Sequence, residues 1–186
     1  RHPQTWNPLH AMFDQIVAPI SSQIAEFTTR LDKALDSDVG KVRTMGRYLA
    51  ENRGKHFRPA LSLLSAQAVG ECSTAAIDAA VGIEILQTGT LVHDDVLDSA
   101  EMRRGADGLH VKWGNHAAIL MGDFLLVKAM EILVALGSME VMDAATRAIR
   151  RMIEGEILED EKGGDGELAI YFTMIDKKTA SLYALA

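Results

Sequence analysis

The chain has 186 residues, of which 48% are hydrophobic, 24% charged and only 5% aromatic, with a formal net charge of −7. This is globular composition with room for one sizeable core, and the acidic balance argues against nucleic-acid binding, which needs an excess of cations. A single cysteine, Cys72, excludes an internal disulfide and a cysteine-based zinc site, and the absence of an apolar run of about 18 residues predicts no membrane span and a cytoplasmic setting.

Ala, Leu, Ile and Met carry the apolar content, which favours helix over sheet. Residues 9–35 repeat apolar side chains at three- and four-residue spacing and predict a helix bent or split by Pro19. Residues 36–40 read as a turn, 41–52 as a short helix and 53–56 as a loop. Residues 59–69 predict a helix with Pro59 in its first turn, where a missing N–H costs nothing. Ser73 or Thr74 is placed to cap the next helix, 75–98. Residues 99–114 read as a polar loop with three glycines. Two strongly helical stretches follow, 115–136 and 139–162. "GGDG" at 163–166 breaks the second, and 167–186 predicts a last helix. There is no alternating strand pattern of useful length, no repeat and no low-complexity linker. The expectation is one all-α domain, a bundle of long helices.

The stretch "LVHDDVLDSAEMRRG" (91–105) crowds three carboxylates into five residues. On a helix Asp94 and Asp98 share one face, and Gln87 and Leu91 continue that stripe backwards. Two carboxylates so spaced suit Mg²⁺, which takes oxygen ligands, keeps waters and often shares its site with a substrate's phosphates. The bland alternative is a solvated acidic helix end. A helix C-terminus is an unfavourable place for negative charge, however, so cations are expected nearby.

Three basic clusters qualify. In "GKHFRP" (54–59), Pro59 is expected to hold Arg58 extended beside a helix N-terminus, a natural anion site, with Lys55 adding a mobile charge. Arg103–Arg104 follow the aspartates directly, their plain alternative being ion pairs with Asp98 or Glu101. Lys177–Lys178 precede Thr179. Several cation sites around a carboxylate cluster suggest a diphosphate bound partly through Mg²⁺ and partly directly. The P-loop and the Gly-x-Gly-x-x-Gly fingerprint are both absent, which makes a nucleotide the weaker choice.

With these motifs in order, the chain resembles the trans-isoprenyl (polyprenyl) diphosphate synthases. "GKHFRP" is similar to their Gly-Lys-x-x-Arg-Pro motif, and 91–105 to their first aspartate-rich motif with its trailing Arg-Arg-Gly. "WGNHAAILMGDFLL" (113–126) resembles the helix that follows, and "IEGEILED" (153–160) and "KTASLY" (178–183) the next landmarks. The resemblance implies an all-α isoprenoid synthase-like bundle around a central cavity, usually a homodimer, although a heterodimer is open. It implies an Mg²⁺-dependent prenyltransferase that joins isopentenyl diphosphate head-to-tail to an allylic diphosphate. By motif matching, Asp94 and Asp98 would hold Mg²⁺, with Asp95 a lesser ligand. Lys55, Arg58, Gln87 and Arg104 would bind isopentenyl diphosphate, and Arg103, Lys178 and Thr179 the allylic diphosphate. The catalytic set so implied is Asp94, Asp98, Arg103 and Lys178.

Two departures stand out. Gln87 occupies a position where the family commonly has histidine. The family's second aspartate-rich motif, downstream of the Lys-Thr landmark, has no counterpart before Ala186. The expectation is therefore a prenyltransferase domain over 1–186 without its C-terminal helices. A chain completed by another chain and a non-catalytic, regulatory subunit are the alternatives; "GKHFRP" speaks against a terpene cyclase. Short-chain members close the tail pocket with aromatics just before the first aspartate. Gly89 and Thr90 stand there, with Leu86 and Ile83 one and two turns deeper, so the product is expected to exceed C15, and Gly89→Phe to shorten it. His93 is expected to be a hydrogen-bonded structural residue, Asp123 to need a partner if buried, and 154–162 to be a solvated helix face.

Overall fold

The structure is a computed structural model and describes residues 8–162 and 167–186; the expected break at 163–166 lies outside the described residues. The first helix is split where Pro19 removes a backbone donor, giving α1 (Pro8–Val17), a 3₁₀ turn over Ala18–Ile20, and α2 (Ser21–Ala34). Then come α3 (Gly40–Glu51), α4 (Phe57–Val69) and α5 (Thr74–Leu97). Ser73 caps α5, its hydroxyl accepting from the Ala76 N–H at 3.3 Å.

The bundle is built around α5 and α7 (Asn115–Ala135), which run antiparallel in close contact. Gly82 faces Leu133 near one end of the pair, and Gly89 faces Gly122 and Leu125 further along. Both helices are apolar on all sides; in α5 this suits an element packed nearly all round, while α7 leaves Leu120, Val127 and Val134 exposed. Ile85, Leu86, Ala118, Met121 and Leu125 are buried between them and their neighbours α2 and α4; each large apolar side chain so buried contributes about 1.5–3 kcal/mol. Among the described residues α5 alone is long and apolar enough to cross a membrane, and most of that stretch is buried inside the bundle.

Residues 99–114 depart from the expected loop. They form a two-stranded hairpin, β1 (Met102–Arg103) and β2 (Ala106–Asp107), and a short helix α6 (Leu109–Trp113). Strands of two residues leave no alternation to detect. The turn is made by Arg104 and Gly105, both at positive φ (55° and 80°), as a two-residue hairpin turn requires. Tyr48 of α3 holds this unit down, its hydroxyl donating to the Asp107 carbonyl at 2.8 Å and its ring meeting Trp113 edge-on.

The chain ends in α8 (Met139–Lys162), α9 (Leu168–Ile175), a π-helical turn over Asp176–Ala180 and α10 (Ser181–Leu185). The π turn and α10 pack back on α8. Leu182 of α10 is fully buried and belongs to the same core as α5.

Candidate active site

The C-terminal end of α5 carries the three carboxylates, and the bundle treats each differently. Asp94 is half-buried, Asp95 is buried and Asp98 is exposed as the helix cap. Asp94 and Asp98 lie one turn apart on a common face. Asp95 turns to the next face and accepts a hydrogen bond from Arg103 Nε at 2.5 Å. Arg103 thus pairs with Asp95, and neither Asp98 nor Glu101 takes it. Among the described residues no three Asp, Glu, His or Cys side chains converge closely enough to hold a cation by themselves. Asp94 is pushed up to about 6, first by burial and then by the facing carboxylate of Glu156, against the pull of Lys178 and Arg103.

The loop "GKHFRP" corrects one expectation. Arg58 is helical, the second residue of α4, even though Pro59 follows it. The chain reverses at His56 instead, whose backbone is left-handed (φ 53°, ψ 43°). Helical packing thus overrides the proline's preference for an extended predecessor. The Arg58 guanidinium stacks over the Tyr183 ring, 4.1 Å from its centroid, and its Nε is buried without a partner. Burial lowers the Arg58 pKa; Tyr183 and Glu84 oppose this, and Arg104 adds to it. Arg104 reaches the same place from the hairpin tip. A Cβ on Gly54 would fall 2.6 Å from the Arg104 guanidinium carbon, so glycine is what admits that arginine. Lys55 is exposed beside them. Gln87 is buried on α5 with its Oε1 unpartnered. Buried polar atoms left open this way are places where a ligand or water would bond.

The lysine pair is placed quite differently. The π turn presses against α8 at Gly155, where a Cβ would lie 2.5 Å from the Lys178 amide nitrogen. Lys178 Nζ pairs with Glu156 at 2.8 Å and with Glu159, and Lys177 with Glu154 at 2.6 Å. Arg151 and Asp176 clamp the start of the turn. These glutamates are therefore not the solvated face that their sequence suggests. Burial works against the Lys178 charge, but the hydrogen bonds to Glu156 and Glu159 outweigh it and raise the pKa. Thr179 is exposed next to it.

The residues expected to line a tail pocket sit inside the bundle. Ile83 and Leu86 are buried in the core. A Cβ on Gly89 would meet the Gly122 carbonyl and Leu125 Cβ at 3.2 Å each. The space beside Gly89 is occupied by α7, so a phenylalanine there meets a helix backbone and not an open passage. Thr90 is half-buried and donates to the Gln87 carbonyl at 2.9 Å. His93 is the hydrogen-bonded residue expected, with Nε2 at 3.1 Å from the Ile119 carbonyl and 3.4 Å from Asp123, which is itself exposed. A cavity of about 70 Å³ lies under the hairpin between α2, α3 and α5, lined by His56, Glu84, Asp95, Arg103 and Arg104 among others. Sequence reasoning passed over His56, Glu84 and Tyr183. Only Glu84 carried a signal, as the one carboxylate within the apolar stretch 79–92.

Residues 39–186 match the family model described as Polyprenyl synthetase. The chain is 36% identical over 154 residues to the octaprenyl diphosphate synthase of Escherichia coli, covering 82% of this chain and 48% of that protein. It is 35% identical over 174 residues to an all-trans-nonaprenyl-diphosphate synthase (geranyl-diphosphate specific) of Rhodobacter capsulatus, covering 92% and 54%. Its fold superposes on a polyprenyl synthase of Caulobacter crescentus, crystallised with calcium and isoprenyl diphosphate, at a TM-score of 0.89 and 31% identity, over 92% of this chain and 53% of that one. The chain spans about half the length of the curated relatives it matches.

Proposed function

The chain belongs to the polyprenyl synthetase family, and on that premise we propose that the whole protein condenses isopentenyl diphosphate with an allylic diphosphate to give a product longer than C15. The observation that carries this reading is that the cations form two separate groups, one between α4 and the hairpin and one on the π turn. Arg58 and Arg104 lie close to each other between α4 and the hairpin, while Lys178 faces Asp94 from the π turn. Two diphosphates need two such groups.

Asp94 and Asp98, with Asp95 behind them, are the residues that would hold Mg²⁺. The two carboxylates, one helical turn apart on one face, suit a hard divalent cation taking oxygen ligands. When bound, the metal supplies charge neutralisation for the departing diphosphate. Lys178, Arg103 and Thr179 would receive the allylic diphosphate and favour its loss as an anion. Lys178 must first leave Glu156 and Glu159. Lys55, Arg58 and Arg104 would hold isopentenyl diphosphate with its double bond toward the resulting allylic cation. Gln87 would donate a neutral hydrogen bond there. A proton is then lost from the joined product.

A homodimer is part of the proposal, supported by the apolar side chains Leu120, Val127 and Val134 that α7 leaves exposed; a heterodimer would use the same face. We place the protein in the cytoplasm, consistent with a lone, unbridged Cys72.

The test is a product assay on the full natural gene product. It would be given Mg²⁺, labelled isopentenyl diphosphate and geranyl or farnesyl diphosphate, with products resolved by length. Prenyl diphosphates beyond C15 are expected. Intact folding and diphosphate binding without any product would sink the reading and point to a non-catalytic subunit.

A further inference from the structure

We propose that Glu84 is a positioning residue that holds the anion-binding loop 54–58 in its working shape. The inference rests on the reading of that loop as the isopentenyl diphosphate site. Glu84 sits in the middle of the core helix α5 between Ile83 and Ile85, with its side chain only 9% exposed. Packing alone gives no reason for a carboxylate there, and a buried one is costly unless it is paired.

Its pairing explains the position. Glu84 Oε1 lies 3.0 Å from Nδ1 of His56, whose ring is packed edge-on against the fully buried Phe27. His56 is the residue where the chain turns left-handed before α4. A side-chain-bearing residue adopts that conformation at a cost, and it persists only when its surroundings hold it. The other ring nitrogen, Nε2, is buried without a partner, so the bond to Glu84 is the ring's one polar anchor among the described contacts. The same carboxylate also favours the charged form of the desolvated Arg58, where the neighbouring Arg104 works against it. One buried group thus fixes the turn between Lys55 and Arg58 and offsets the crowding of Arg58 by Arg104.

The test compares Glu84→Gln and His56→Asn with the wild type in the full natural protein. Melting curves and circular dichroism establish that each variant folds. Glutamine keeps the shape of Glu84 without its charge; asparagine tolerates the left-handed turn but cannot reach Glu84. The KM for isopentenyl diphosphate should rise about tenfold in either variant, while the KM for the allylic diphosphate stays within about twofold. Calorimetric titration with inorganic diphosphate should show a parallel loss of affinity. Folded variants with both readouts unchanged would overturn the inference. So would equal rises in the two KM values, which mark a role in stability only. Wild-type protein that binds inorganic diphosphate but forms no prenyl product would remove the synthase reading, and the titration would still decide the role of Glu84. Wild-type protein that binds no diphosphate would overturn both.

Discussion

Two regions of this molecule carry the candidate anion-binding cations, and they hold them in opposite ways. On the α4 side, Arg58 is kept in place by a tyrosine ring and Arg104 by the clearance at Gly54. Neither appears in an ion pair among the described residues, and the Arg58 Nε, a donor, stands open. On the α8 side every cation of the π turn is already matched, Lys177 by Glu154 and Lys178 by Glu156 and Glu159. The first region is ready for an anion. The second must give up internal partners to receive one. A count of lysines and arginines would rate the two alike; the partners around them decide which is available.

Four experiments test this contrast. The largest effect is expected from Lys178→Ala, which removes charge-assisted hydrogen bonds worth about 1.5–3 kcal/mol each. With Lys178 gone, kcat/KM for the allylic diphosphate should drop about 100-fold, with little change in the KM for isopentenyl diphosphate. Steady-state kinetics with each substrate varied in turn would show it, and an equal loss on both sides would erase the division.

Next comes Gly155→Ala. The added Cβ meets backbone of the π turn, and overpacking of this kind costs about 1–3 kcal/mol. Denaturant unfolding should register that loss, accompanied by a higher KM for the allylic diphosphate alone. Unchanged stability would mean that the turn can move off α8 freely.

Arg58→Lys should weaken isopentenyl diphosphate binding about tenfold, since an ammonium can neither fork onto phosphate oxygens nor stack as a plane on Tyr183. Binding calorimetry without allylic substrate isolates this step. Retained affinity would mean that the stack contributes charge only.

The smallest effect concerns Asp94 and pH. Its folded-state pKa of about 6 lies above the ordinary 3.8. Between those values the folded state holds a proton that the unfolded chain has released, so stability falls as pH rises through that window and stays lower above it. Because the carboxylate is partly exposed, solvent screening cuts the penalty to about 1 kcal/mol. Asp94→Asn should therefore stabilise the metal-free chain by about that much at pH 7.5 and not at pH 3.5. Urea melts at the two pH values would reveal it; the same gain at both would assign the effect to packing.

Much of the fold was legible because helices announce themselves locally. The apolar spacing of 75–98 and 115–136 and the break at Pro19 arise within a few residues, and the observed helices begin and end within about two residues of them. The hairpin was not legible, since two-residue strands have no period and the cue is confined to Arg104–Gly105. The site was legible as residue types in order. Its pairings were not: Lys178 meets Glu159 across 19 residues, His56 meets Glu84 across 28, and Arg58 meets Tyr183 across most of the chain.

An all-α bundle, the family, and the inventory of carboxylates and cations on named helices were all written in the order of residues, because each follows from side-chain chemistry at short range. That Gly89 faces α7, that His56 and not Arg58 turns the chain, and that the α8 glutamates hold the lysines emerged with the assembled bundle alone. These depend on which faces of distant helices meet, and that is settled by packing the whole core at once.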